Sequence, residues 1–118
     1  VADPRKTVLG GFSQGAMLSC DAMLRTTQPY AGLIQLSGTL LAAQEWGPLL
    51  PKRKGLPVFQ SHGMQDEVLP YVGAERLHDA LSQFGLAVEW HRFRGGHEIP
   101  EPVLQRLSVF LTKVLTKP

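Results

Sequence analysis

The chain has 118 residues, 43% of them hydrophobic, which is enough for the core of one domain. Charged residues make up 19%, and 12 Lys and Arg against 10 Asp and Glu leave a net charge of +2, with no run of one sign. This balance argues against a nucleic-acid surface or a membrane-binding face, and no apolar run is long enough to span a bilayer.

In chain order, Lys6–Gly11 (KTVLGG) is an apolar run bounded by glycine and predicts a first strand. Gln14–Thr26 carries Met17, Leu18, Met23 and Leu24 at helical spacing. Ala31–Ser37 (AGLIQLS) predicts a second strand. Leu40–Leu50 predicts a short helix and then a loop, because Gly47 and Pro48 interrupt it. Leu56–Ser61 (LPVFQS) predicts a third strand. The continuous apolar character of these three strands suits a parallel sheet covered on both faces. Tyr71–Phe84 puts Leu77, Leu81 and Phe84 on one helical stripe, with Gly85 as its stop. Ala87–Phe93 (AVEWHRF) alternates, with Val88, Trp90 and Arg92 on one face, and suits a strand nearer the sheet edge. Glu101–Leu115 is a helix carrying Val103, Leu107, Phe110, Leu111 and Val114, with Pro100 and Pro102 at its start. This order points to an α/β fold: a three-layer, open, mostly parallel sheet with right-handed crossovers.

Cys20 is the single cysteine and has no internal disulfide partner. It reads as a small apolar residue buried on the first helix, and it fits a reducing, cytoplasmic compartment. The chain starts at Val1 without an initiator methionine and reaches a strand almost at once, as a trimmed or partial chain would.

The segment GGFSQGAM contains Gly11-Phe12-Ser13-Gln14-Gly15, a G-x-S-x-G pattern between a strand and a helix. That is the setting of a nucleophile elbow. The turn is sharp enough that side chains at Gly11 or Gly15 are expected to collide with neighbours. The backbone at Ser13 is expected to be strained so as to expose its hydroxyl. The following helix aims its N-terminal N–H groups at the site, which favours developing negative charge. The competing reading is a glycine-rich turn with an incidental serine.

A serine hydroxyl needs a base. Of four histidines, His97 (RGGHEIP) lies on a loop after the fourth strand, on the edge of an α/β sheet that favours ligands and catalysis. His78 reads as a surface residue on a helix and His91 as structural on a strand. His62 ends the third strand and reads as a loop-shaping residue. The base needs an orienting carboxylate, and Asp66 (HGMQDEVLP) follows the third strand. Glu67 and Glu98 are the alternatives. The order Ser13, Asp66, His97 is the one expected on this fold. Met64, Leu40, Leu41 and Trp46 are candidates for an apolar wall that would take an acyl chain, against a reading as ordinary packing.

The stretches GGFSQGAM, GLIQLSGTL, LPVFQSHGMQDEVLP and GGHEI resemble the carboxylesterase, phospholipase and acyl-protein thioesterase family of α/β-hydrolases over nearly the whole chain. The resemblance implies Ser13 as nucleophile, Asp66 as orienting acid and His97 as base. It implies hydrolysis of small acyl esters or thioesters through an acyl-enzyme, with no metal and no cofactor. Activity should then rise with pH through the ordinary histidine range, roughly 6 to 7.

The resemblance begins at the nucleophile strand, so residues 1–118 read as a single partial domain, the C-terminal half of the fold. The preceding half, which this chain lacks, would supply one oxyanion N–H and much of the acyl pocket. The other oxyanion N–H is that of Gln14. Losing one such donor costs about 10² to 10³ in turnover, so the chain alone is expected to be slow or inactive. Thr7, Val8 and Leu9 would form an unpaired apolar edge. A homo-oligomer joined at this edge, or a missing N-terminal half, would cover it. The alternative is a catalytically incomplete half-domain that binds a partner or another copy through its first strand.

Overall fold

The computed structural model describes residues 3–40 and 43–116. Four strands run in chain order across one sheet: β1 (Val8–Phe12), β2 (Gly32–Leu36), β3 (Pro57–Gly63) and β4 (Ala87–Phe93). Every neighbouring pair is parallel, so a sheet expected to be mostly parallel is wholly so among the described residues. Four helices alternate with the strands: α1 (Gln14–Arg25), α2 (Ala43–Trp46), α3 (Tyr71–Gln83) and α4 (Glu101–Leu115). The segment expected to be a short helix over Leu40–Leu50 includes residues 41 and 42, and Leu41 lies outside the described residues.

Strand order that follows chain order, with crossovers of one hand, sends successive helices to the same face. Cys20, Met23 and Leu24 of α1, Trp46 of α2, and Leu77 and Leu81 of α3 pack together on Leu33 and Val58 of the sheet. The opposite face carries Leu36 and Phe59 and is covered by Val103, Phe110 and Val114 of α4. The result is three layers. Full burial of a side chain such as Met23 or Leu77 stabilises by about 1.5–3 kcal/mol.

Polar groups inside the sandwich fix the helices relative to the rim where the strands end. Gln35 and Gln60 face each other in register and are fully buried. Gln35 Nε2 donates to Ala16 O of α1 at 2.7 Å, and Gln60 Nε2 donates to Ala74 O of α3 at 2.9 Å. Both helices approach closely there because the contacting residues are fully buried alanines. At the far end of α1, the Arg53 guanidinium donates to the carbonyls of Met23, Thr26 and Gln28 and closes groups that a helix end leaves open.

Several expectations shift. The first strand starts at Val8, not Lys6, because Asp3 caps a 3₁₀ turn over Pro4–Lys6 through the Arg5 N–H at 3.0 Å. A second 3₁₀ turn, Leu50–Arg53, falls where a loop was expected. His78 is not a free surface residue: its ring stacks on Trp90 of β4 at 5.1 Å. β4 lies at one edge of the sheet, as its alternation suggested, and β1 lies at the other, paired only with β2 among the described residues.

Cys20 is fully buried, and burial, reinforced by the charge of Asp21, pushes its thiol up to about 12. The unfolded thiol titrates near about 8.5, so the buried thiol costs the fold nothing below that pH. The cost grows as pH rises from about 8.5 toward about 12. The expected result is that iodoacetamide at pH 8 leaves Cys20 unmodified by intact mass until urea unfolds the chain. Fast labelling of the folded protein would show that the thiol is reachable.

Candidate active site

Ser13 sits between β1 and α1 with φ 60° and ψ −119°, a region that costs a non-glycine residue about 1–3 kcal/mol. Its N–H is held by Leu36 O at 2.8 Å, and its carbonyl accepts from the N–H groups of Ala16 and Met17. Its hydroxyl makes no capping bond to α1. The Gln14 N–H, at the open start of the helix, donates to no group among the described residues. It carries the partial positive charge of a helix N-terminus.

The turn depends on Gly11. A Cβ there would lie 2.5 Å from the carbonyl carbon of Gly15. Gly15 differs from expectation: a Cβ built on it meets nothing within 4 Å, because it points outward from the first turn of α1. The collision belongs to one side of the elbow only.

From Ser13 a continuous hydrogen-bonded chain crosses the rim of the sheet. Ser13 Oγ lies 2.9 Å from His97 Nε2, and His97 Nδ1 lies 2.8 Å from Asp66 Oδ2. A carboxylate can only accept, so His97 Nδ1 carries the hydrogen and Nε2 is free to accept from the serine hydroxyl. The imidazole is 17% exposed, and the Asp66 side chain is fully buried. The Phe12 ring packs against the imidazole with centroids 4.7 Å apart. This arrangement can take a proton from Oγ and return it to a leaving group.

Asp66 is held from several sides. Oδ1 accepts from the N–H groups of Val68 and Leu69 at 2.9 and 2.8 Å. Burial pushes the carboxyl up, but the Leu69 N–H, the His97 ring and the Val68 N–H outweigh it and hold Asp66 below the usual carboxylate range. The alternatives Glu67 and Glu98 are exposed. Glu98 accepts from the Gly96 N–H.

Two residues with no assigned place in the sequence pattern build the surroundings. Gln65 locks the histidine loop to the acid loop: its N–H donates to Gly95 O at 2.9 Å, and its Oε1 accepts from the Gly95 N–H at 2.7 Å. His62 is more than a loop shaper. Its ring is fully buried, with Nε2 2.8 Å from Leu69 O and 3.3 Å from Asp66 Oδ2. The only local signal for either was proximity to Asp66 in QSHGMQD.

Of the candidate apolar wall, Trp46 drops out, and Leu41 lies outside the described residues. Trp46 is fully buried in the core and cannot line a surface for substrate, since α2 turns its indole inward against α1 and α3. Leu40 packs against the same core cluster. Met64 is 39% exposed on the loop after β3. A groove of about 460 Å³ lined by Asp3, Arg5, Lys6, Pro29, Tyr30, Ala31, Pro57 and Val114 lies where the strands start, at the opposite rim.

The sheet order and the strained elbow are those of the α/β-hydrolases, and known proteins place the chain more narrowly. A family model described as phospholipase/carboxylesterase matches residues 2–115, and the chain belongs to that family of hydrolases. It is 34% identical over 116 residues to acyl-protein thioesterase 1 of Neurospora crassa, a match covering 95% of this chain and 47% of the relative. It is 36% identical over 110 residues to acyl-protein thioesterase 1 of Eremothecium gossypii, covering 87% and 45%. Among solved structures, esterase PE8 superposes with a TM-score of 0.85 at 33% identity, covering 95% of this chain and 52% of that one. SOBER1 of Arabidopsis thaliana gives 0.82 at 21% identity, covering 98% and 56%, a likeness of fold alone. The chain thus spans about half the length of the curated relatives it matches.

Proposed function

We propose that this chain carries the nucleophile, base and acid of a serine hydrolase that cleaves carboxylic esters or thioesters through an acyl-enzyme. The observation that carries the reading is the unbroken chain from Ser13 Oγ through His97 to Asp66. His97 Nε2 takes the Ser13 proton as Oγ attacks the acyl carbonyl. The tetrahedral oxyanion forms against the Gln14 N–H, at the N-terminus of α1. His97 then protonates the leaving alcohol or thiol. A water, activated by the same nitrogen, releases the acid and restores Ser13. Asp66 holds the imidazole with its hydrogen on Nδ1 and stabilises it when charged. The thioester arm draws on the curated relatives named acyl-protein thioesterase 1. A cytoplasmic setting, with Cys20 kept as a free thiol, belongs to the same reading.

A fluorophosphonate probe tests this. One equivalent should attach to Ser13, located by peptide mass, and labelling should vanish in His97→Ala. Labelling elsewhere, or equal labelling of the His97→Ala protein, would refute the assignment.

One observation favours a second reading. Among the described residues β1 pairs on one side only, and Gly10 and Phe12 on it are exposed. Such an edge is a template for a further strand. In this reading the unit is catalytically incomplete, and β1 takes that strand from a second copy or from polypeptide beyond these 118 residues. A folded monomer at micromolar concentration that never labels, and that labels once a β1-pairing partner is supplied, distinguishes this reading from the first.

A further inference from the structure

A second imidazole, that of His62, lies beside the Asp66–His97 bond. The His62 ring lies wholly inside the protein, one residue before the end of β3. Its Nε2 is 2.8 Å from the carbonyl oxygen of Leu69. A carbonyl only accepts, so Nε2 carries the hydrogen and gives it to Leu69 O; the nitrogen also lies 3.3 Å from Asp66 Oδ2, a close contact without a hydrogen bond. The other ring nitrogen, Nδ1, is buried with no partner among the described residues. The ring is therefore fixed as a one-sided donor, and it donates to the acid loop at Leu69.

We infer that His62 is a positioning residue: its Nε2–H, donated to Leu69 O, pins the acid loop so that the Val68 and Leu69 N–H groups hold Asp66 Oδ1, and Oδ2 meets His97 Nδ1. This rests on the reading of Ser13, His97 and Asp66 as the reacting set. The Asp66 oxygens take three donors: the Val68 and Leu69 N–H groups on Oδ1 and the His97 ring on Oδ2. Without the His62 donor, Leu69 O loses the tie that closes the acid loop on β3, and the two N–H groups on Oδ1 are no longer held in place. Other ionisable groups surround the pair. Tyr71 of α3 packs its ring 6.1 Å from that of His62. Glu67 and Glu98, beside Asp66 and His97, and Arg94 on the histidine loop are exposed. None of these is recorded as bonding to the Asp66 carboxylate among the described residues.

Two substitutions separate a donor from a space-filler. His62→Gln keeps an N–H near the position of Nε2. His62→Leu keeps apolar volume and removes the donor. Positioning predicts that the glutamine protein labels with the phosphonate within about threefold of the parent, and that the leucine protein labels about tenfold or more slowly. A packing role predicts the reverse order, and that order would overturn the inference. The second readout needs no activity. Long-range ¹H–¹⁵N spectra of the histidine rings should find His62 with its hydrogen on Nε2, and should find the downfield His97 Nδ1–H signal lost or moved in His62→Leu but kept in His62→Gln. A His62 ring with its hydrogen on Nδ1 would also overturn it. Should His62→Leu not fold, the parent spectrum and the glutamine protein still decide. Failure of the reacting set itself looks different: the parent would not label at Ser13 at all.

Discussion

Replacing Asp66 with asparagine should slow acylation of Ser13 by about 10⁴-fold, equivalent to about 5.5 kcal/mol, while leaving the fold in place. The carboxylate accepts on both oxygens, from Val68 and Leu69 N–H on one and from the His97 ring on the other. An amide offers one accepting and one donating face. The backbone pair holds the amide oxygen, so the NH₂ turns toward His97 Nδ1. Two donors then face each other. The imidazole relieves this by moving its hydrogen to Nε2, and in that tautomer it cannot take the serine proton. The same change spares the acid loop, because the Val68 and Leu69 bonds survive. The rate of phosphonate labelling relative to the parent, with circular dichroism unchanged, is the measurement. A ratio holds even where the absolute rate is low. A loss below tenfold would mean that the carboxylate does not set the tautomer.

Trp46→Ala should destabilise the chain by about 3–5 kcal/mol, read from the midpoint of urea unfolding. The indole is fully buried, packs among Cys20, Met23, Leu50 and Leu77, and donates from Nε1 to Asp21 Oδ1 at 2.9 Å. α2 has four residues, too few to be stable as a helix alone, so this side chain, with the exposed Arg25–Glu45 pair, attaches the segment to α1. Its removal leaves a void that α1 and α3 cannot collapse into without breaking the buried Gln35 and Gln60 bonds. Against a typical domain stability of about 5–15 kcal/mol, such a loss reaches unfolding at moderate denaturant. A cost under about 1 kcal/mol would show that the cavity closes freely.

Much of the fold was legible because a buried parallel sheet writes itself in continuous apolar runs. GLIQL of β2 is one, and β4 and α4 occupy the residues that alternation and helical spacing picked out. Errors fell where local chemistry competes with periodicity. Asp3 and Pro4 turn the chain before β1, and Pro51 supports a 3₁₀ turn with no apolar period of its own. Trp46 was misleading as a candidate wall for substrate: an indole beside a loop can face either way, and only the packed neighbours make it core. In the candidate site, Ser13, Asp66 and His97 stood out by residue type and by position at strand ends. His62 and Gln65 did not, because their partners are chosen by the packing of loops that meet only in three dimensions. Gly15 was judged by its place in a pattern, and the space around it belongs to the surface.

Ser13 follows one border strand of the sheet and His97 follows the other, 84 positions later in the chain. Their hydrogen bond joins positions farther apart in the chain than any other among the described residues. It exists only while β2 and β3 hold the two borders at the right separation. The second half of the contact is built on a glycine: Gly63, ending β3, lets the carbonyls of Gly95 and Gly96 lie directly on its backbone. Fraying at either border, or a slip of one strand against the next, takes the serine and the imidazole apart before the core is lost. Reactivity at this rim thus reports on the integrity of the entire sheet, and it should be the last native property to return when the chain refolds.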